Sequence, residues 1–364
     1  MKYLQFILAL LTLVSCQQET KTDILSVDVS NDIVTPKNYI ITKTKDEITI
    51  DGNANESSWS TTKFSDKFID IEGVLTPKFD TQVKMLWDDE FLYVYAELNE
   101  PHIWGNIKQR DEIIYYNNDF EVFLDPSKTG TNYGEIEINA LNTVWDLYLN
   151  KPYRIGGKAN FEWNLDDLKS AVQIHGTLNN PNDIDSLWTV EMAIPLKPFI
   201  RFKNRPKTIP KEGEQWRINF SRVQWDHDII DGKYYRKKED GKHLREYNWV
   251  WSNQKVINMH EPEKWGFLQF TEQSSSYGIE FIKDEDLGIK QTAFALFRKT
   301  RYGDLKTFLE NETGSNHDID VTYSEGKTIN AMFFKTNFGF EYKLQSPITN
   351  KTYIINQEGT LRTL

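Results

Sequence analysis

A single cysteine in 364 residues, Cys16, rules out an intramolecular disulfide, so packing must hold the folded body together, with bound metal ions as the other available staple. Histidine is nearly as scarce, at six, and no Ser-His-Asp arrangement or metal-ligand motif can be assembled from what is present. Basic residues are outnumbered, 43 against 54 acidic, and the net charge of -11 argues against nucleic acid or an anionic membrane surface as the main partner. The basic run at 233–245 reads as a solvated hairpin tip. Long apolar runs are missing, and so are internal repeats and low-complexity tracts. Helical periodicity is almost absent before residue 272.

The one apolar stretch, residues 4–14, follows Lys2 and is too short to span a bilayer as a mature helix. It leads into Leu13-Val14-Ser15-Cys16, which resembles a lipobox. Residues 1–16 therefore read as a lipoprotein signal peptide, with Cys16 the lipidation site. An exported chain anchored to the bacterial cell envelope, at the outer membrane, is expected. Residues 17–37 are polar and without sustained period, a flexible tether.

Aromatics are plentiful, with 21 Phe, 17 Tyr and 11 Trp. That is more than a core needs and suits a surface that stacks flat ligands. The organising stretch is 83–149. Two aromatic and β-branched runs, 83–87 and 91–98, flank Asp88-Asp89-Glu90 as a hairpin. Asp119-Phe120-Glu121-Val122-Phe123-Leu124-Asp125 alternates polar and apolar, and 134–142 repeats this with Glu135, Glu137 and Asn139 on one face. Further strands are expected at 171–178, 187–194, 216–223, 247–252 and 265–270. Many short strands joined by turn residues predict a mainly β, antiparallel, jelly-roll-like sandwich over 38–272. After Gln273-Ser274-Ser275-Ser276 the pattern changes to a helix from 286 and four short strands, a small α+β module over 277–364 of unread role.

Ile50-Asp51-Gly52 with Trp59, the 83–98 hairpin, the 119–125 strand, Trp188 to Pro195, and Trp249-Val250-Trp251-Ser252 before Trp265-Gly266 together resemble the family 9 carbohydrate-binding modules. The resemblance implies a β-sandwich, structural calcium, and a slot in which two aromatic rings sandwich a glycan end. By position it places the first ring at Tyr115 or Tyr116, the second at Trp251, and the strand carboxylate at Glu121. The family's strand arginine falls near Glu137, an acceptor where a donor is expected.

A pyranose has an apolar C–H face and a hydroxyl rim, so its binder needs ring faces and fixed polar groups. Tyr115, Tyr116, Trp225 and Trp251 are the candidate faces, and Glu121, Asn139, Asn219 and Arg222 the candidate rim. Trp251 as core and Arg222 paired with Glu191 are the competing structural roles. Asp125 is the candidate calcium ligand, although no sequential loop of calcium-ligand spacing is present. The expected function is non-catalytic glycan binding that supports polysaccharide capture or catabolism, with the C-terminal module a possible protein contact. The alternative is a glycoside hydrolase or polysaccharide lyase acting through Glu121 with Glu135 or Glu137. Haem held by Met259-His260 is disfavoured, since neighbouring strand residues face opposite ways.

Overall fold

The structure, a computed structural model, describes residues 24–204 and 206–364. Cys16 and the signal segment lie outside the described residues. In chain order the main strands are β1 (Leu25–Asp28), β2 (Asn38–Lys43), β3 (Thr81–Trp87), β4 (Phe91–Asn99), β5 (Asp119–Asp125) and β6 (Tyr133–Asn139). They continue as β7 (Val144–Leu149), β8 (Lys169–His175), β9 (Leu187–Pro195), β10 (Gln215–Gln224), β11 (Tyr247–Val250) and β12 (Gly266–Thr271).

Strands β2 to β12 form one curled sheet in the order β8-β9-β4-β3-β2-β12-β10-β5-β6-β7, with β11 paired to part of β10. Pairing is antiparallel except at the fold line, where β12 runs parallel to β2 and β2 parallel to β3. The two halves close over a single core. Met85, Val94 and Met192 come from one half, and Phe120, Ile136 and Phe220 from the other. The alternation in β5 explains this: Phe120, Val122 and Leu124 turn inward and the odd positions turn away. Seven Trp side chains are fully buried, so much of the aromatic surplus is core. Each contributes about 1.5–3 kcal/mol or more by leaving water.

The second unit packs the helix α1 (Leu287–Tyr302) on a six-stranded sheet. Four of its strands are β13 (Asn316–Ser324), β14 (Lys327–Thr336), β15 (Gly339–Gln345) and β16 (Thr352–Asn356), followed by β17 (Leu361–Thr363). The sixth is β1, from the stretch expected to be a free tether. It runs parallel to β13 with Val27 opposite Val321, and Val27 and Val29 join that unit's core. Four residues with a partner almost 300 positions away leave no local pattern to read. The units are joined by Arg298, which reaches Glu261 and Glu263, and by Gln291, which binds the Glu263 carbonyl at 3.1 Å.

Candidate functional site

The outward face of the β10-β5-β6-β7 half is polar in sequence yet buried in space. Loops and turns cover it: Met259 and Ile71 pack there with Phe123, Tyr133, Trp145, Leu147 and Trp265. Beside this apolar patch the ladder sets carboxylates against each other. Glu121 lies directly across from Glu137, and Ser221 across from Glu121 on the other side. Asp119 sits two residues along on the same face. One oxygen from each of Asp119, Glu121 and Glu137 lies within 4.8 Å of the others. Glu135, buried as well, extends the row.

Like charges this close and this dry resist ionisation. Burial pushes Glu121 up to about 7. Burial and then the neighbouring Glu121 charge hold Asp119, Glu135 and Glu137 well above the usual carboxylate range. Among the described residues no basic side chain acts on any of the four. The Glu137 carboxylate accepts the Tyr115 backbone N–H at 3.0 Å. Asp119 Oδ2, Glu135 Oε2 and Trp145 Nε1 are buried without a partner among the described residues.

A cavity of about 250 Å³ opens onto this row. Glu121, Glu135 and Glu137 form its floor. Tyr115, Trp145 and Tyr153 supply ring surface, and Glu246, Asn248 and Asn258 the polar rim. Tyr153 is 41% exposed and edge-on to His260, which is itself fixed by the Tyr133 hydroxyl at 2.9 Å. The arrangement offers acceptors at the bottom and flat apolar walls above them. A larger hollow of about 920 Å³, between the Ser57–Thr61 turn and Ser274 to Gly278, carries no such cluster.

Of the residues expected to bind sugar, Tyr115 and Glu121 reach this cavity and the others do not; Glu135 and Glu137, the expected partners of Glu121 in a hydrolase, line it as well, as do Met259 and His260. The two tyrosines of the turn Ile114–Tyr116 pack edge to face, with ring centroids 4.9 Å apart, yet they line different cavities. Tyr116 lines a separate cavity of about 450 Å³ with Trp104, Tyr234 and Arg236. Trp225 is buried beside it, its Nε1 donating to the Tyr115 carbonyl at 2.8 Å, with Arg236 stacked 4.6 Å from its ring. Trp251 is 1% exposed and belongs to the sandwich core. Its ring fills the space above Gly266, where a Cβ would meet it at 2.2 Å. It has no free face to offer a ligand.

The expected rim residues are likewise committed elsewhere. Arg222 is buried on the core side, paired with Glu100 at 2.9 Å rather than with Glu191, and bonded to Thr81 and Gln224. Glu191 instead accepts from Trp59 Nε1 and the Asp51 and Gly52 amides. Asn219 ties down Ser252 through both ends of its amide. Asn139 closes the turn to Thr143 and binds the Ile107 carbonyl. Asp125 accepts from Ser127, Lys128 and Gly130 with its two oxygens, so the expected calcium ligand is a saturated turn. Met259 and His260 are not on a strand, and His260 Nδ1 faces Tyr133.

A sequence profile of the family described as carbohydrate family 9 binding domain-like matches residues 50–273. No curated protein matches the chain. Among solved structures, a family 9 carbohydrate-binding module from Caldicellulosiruptor kristjanssonii in complex with cellotriose is 14% identical. It covers 68% of this chain and 100% of its own, with a TM-score of 0.42. A structure named as a putative carbohydrate-binding protein from Bacteroides uniformis is also 14% identical. It covers 65% of this chain and 100% of its own, with a TM-score of 0.47. The profile match takes in the whole curled sheet from Ile50 onward, including every strand that lines the acidic cavity, and on it this chain belongs to the carbohydrate family 9 binding domain-like family.

Proposed function

We propose that this protein binds glycans without cleaving them, taking a sugar into the cavity between Tyr115, Trp145 and Tyr153. The observation that carries the reading is the pairing of ring faces with a floor of hydroxyl acceptors, inside the domain that defines the family. Sugar hydroxyls donate to the carboxylates while C–H faces pack on the rings. The acidic floor and the net charge of -11 disfavour uronic and sulfated glycans, so a neutral sugar is the expected ligand. The lipobox-like leader supports export and anchoring through Cys16, and with it a role in capturing polysaccharide at the envelope.

The test is a neutral glycan array followed by calorimetry with Tyr153→Ala. Loss of about 1–2 kcal/mol of binding with an unchanged melting temperature supports the slot. A folded protein that binds no sugar refutes it. Glu121, pushed up to about 7, also favours a second reading as the general acid of a glycoside hydrolase with Glu137 as its partner. Release of reducing sugar that Glu121→Gln abolishes would establish that reading instead.

A further inference from the structure

Two walls of the acidic cavity are not strands. One is the turn that carries Tyr153, and the other is the segment 257–260, from Ile257 to His260. Irregular segments open easily unless something outside them holds them. The walls are tied to each other, since the Arg154 guanidinium donates to the Ile257 carbonyl at 2.8 Å. Most of their remaining support comes from the second unit. Ile155 is the buried residue of the Tyr153–Ile155 turn, and the core it joins is that of the helix-and-sheet unit, not the sandwich. There it packs against Gly359, where a Cβ would meet its Cδ1 at 3.1 Å, beside Phe297. Lys151 pairs with Glu358 at 2.6 Å, and the Tyr302 hydroxyl donates to the Arg154 carbonyl. The other wall is held through Glu261. Asn258 donates to its Oε1 at 3.3 Å, and Arg298 reaches its Oε2 at 3.4 Å.

These contacts come from one face of one helix. Phe294, Arg298 and Tyr302 are spaced four residues apart on α1 and form a single stripe. The stripe faces the backs of both walls across a gap of about 80 Å³ that Arg154, Ile155 and His260 also line. We propose that the second unit is the support of the sugar cavity, with Arg298 and Tyr302 the positioning residues for its two irregular walls. This rests on the sugar reading above. The affinity of the site is then set partly outside the family 9 domain, by side chains that touch no ligand. The coupling runs both ways: whatever α1 adds to sugar affinity, a bound sugar adds to the hold of α1 on the walls.

Hydrogen exchange of the full chain tests this, together with calorimetry against the strongest neutral oligosaccharide from the glycan array. Tyr302→Phe removes one hydroxyl from a half-exposed ring, and Ile155→Ala withdraws the buried anchor of the turn. The Ile155, Gly156 and Gly157 amides bond back to Pro152 and Tyr153 and report whether the turn is closed. Their exchange should quicken about threefold in Tyr302→Phe, for one lost hydrogen bond, and about tenfold in Ile155→Ala. Sugar affinity should fall in step, by about threefold and about tenfold, while Tyr302→Phe melts within about 2 °C of the parent. Saturating sugar should slow the same amides in the parent. Parent-like exchange at these amides in both variants overturns the proposal. So does parent-like sugar affinity in variants whose exchange has quickened. If no sugar binds the parent, the sugar reading fails by itself, and the exchange rates still decide whether α1 holds the walls.

Discussion

Replacing Glu121 by Gln should change the pH dependence of stability in a direction opposite to ordinary acid denaturation. In the unfolded chain this carboxyl ionises near 4.5, and in the folded protein burial pushes it up to about 7. The folded state therefore holds the proton more tightly. Its contribution is fully present below pH 4.5, is lost as pH rises through about 7, and stays lost above. At 1.36 kcal/mol per pH unit the loss is about 3 kcal/mol. For a domain of this size that corresponds to roughly 6–12 °C in melting temperature. His260 acts in the opposite sense. Burial lowers it to about 4, so its contribution is intact above its unfolded value of 6.5 and is lost as pH falls toward 4. The two slopes oppose each other between 4.5 and 6.5, which is why the parent profile alone decides nothing. The difference between parent and Glu121→Gln, measured by thermal denaturation from pH 5 to 8, removes the His260 slope and reports the titration of Glu121 together with its effect on Asp119, Glu135 and Glu137. The variant should gain on the parent as pH rises. Parallel curves across that range would refute the argument that Glu121 is desolvated and unpaired.

Three other outcomes are expected. Trp251→Ala should lower stability by about 3–5 kcal/mol in urea unfolding, as for other large aromatic cavities, and leave glycan affinity intact below its melting point. Glu100→Gln strands the fully buried Arg222 charge and should cost about 3 kcal/mol in the same assay. Val27→Asp places an unpaired carboxylate in the core of the second unit and should cost about 3 kcal/mol. Hydrogen exchange of β13 should accelerate accordingly, and unchanged protection there would contradict the β1–β13 pairing.

Much of the fold was legible because a strand's period is two. The alternation in 119–125 and 134–140 places Glu121, Glu135 and Glu137 on one face and Phe120, Ile136 and Ile138 on the other, as found. The same rule, applied fully, separates Asn219 from Arg222: they are three positions apart on β10 and cannot share a rim. Trp145 was within reach too, since a turn between Asn139 and Val144 sets it against Glu137. Tyr153 opens the short turn Tyr153–Ile155 in a long aromatic loop, 151–168, whose length and rings pointed to function without saying which ring would face the cavity. Trp251 was misplaced because local sequence cannot show what stands opposite a ring, here the bare backbone of Gly266. The charge deficit around Glu121 needed three strands in register before it could be seen.

The pairing of β1 with β13 ties the start of the described chain to one edge of the second unit's sheet. If Cys16 carries a lipid, the residues up to Leu25 reach at most about 30 Å, which would hold the helix-and-sheet unit close to the bilayer with the acidic cavity in the neighbouring unit. A pull on a captured polymer would load the β1 ladder in shear. Freeing the stretch to Lys37, at most about 40 Å of contour, would break the β1 ladder together with the bonds of the Val29 amide to the Thr322 carbonyl and of the Val34 amide to Gln291, and would leave the sandwich core closed.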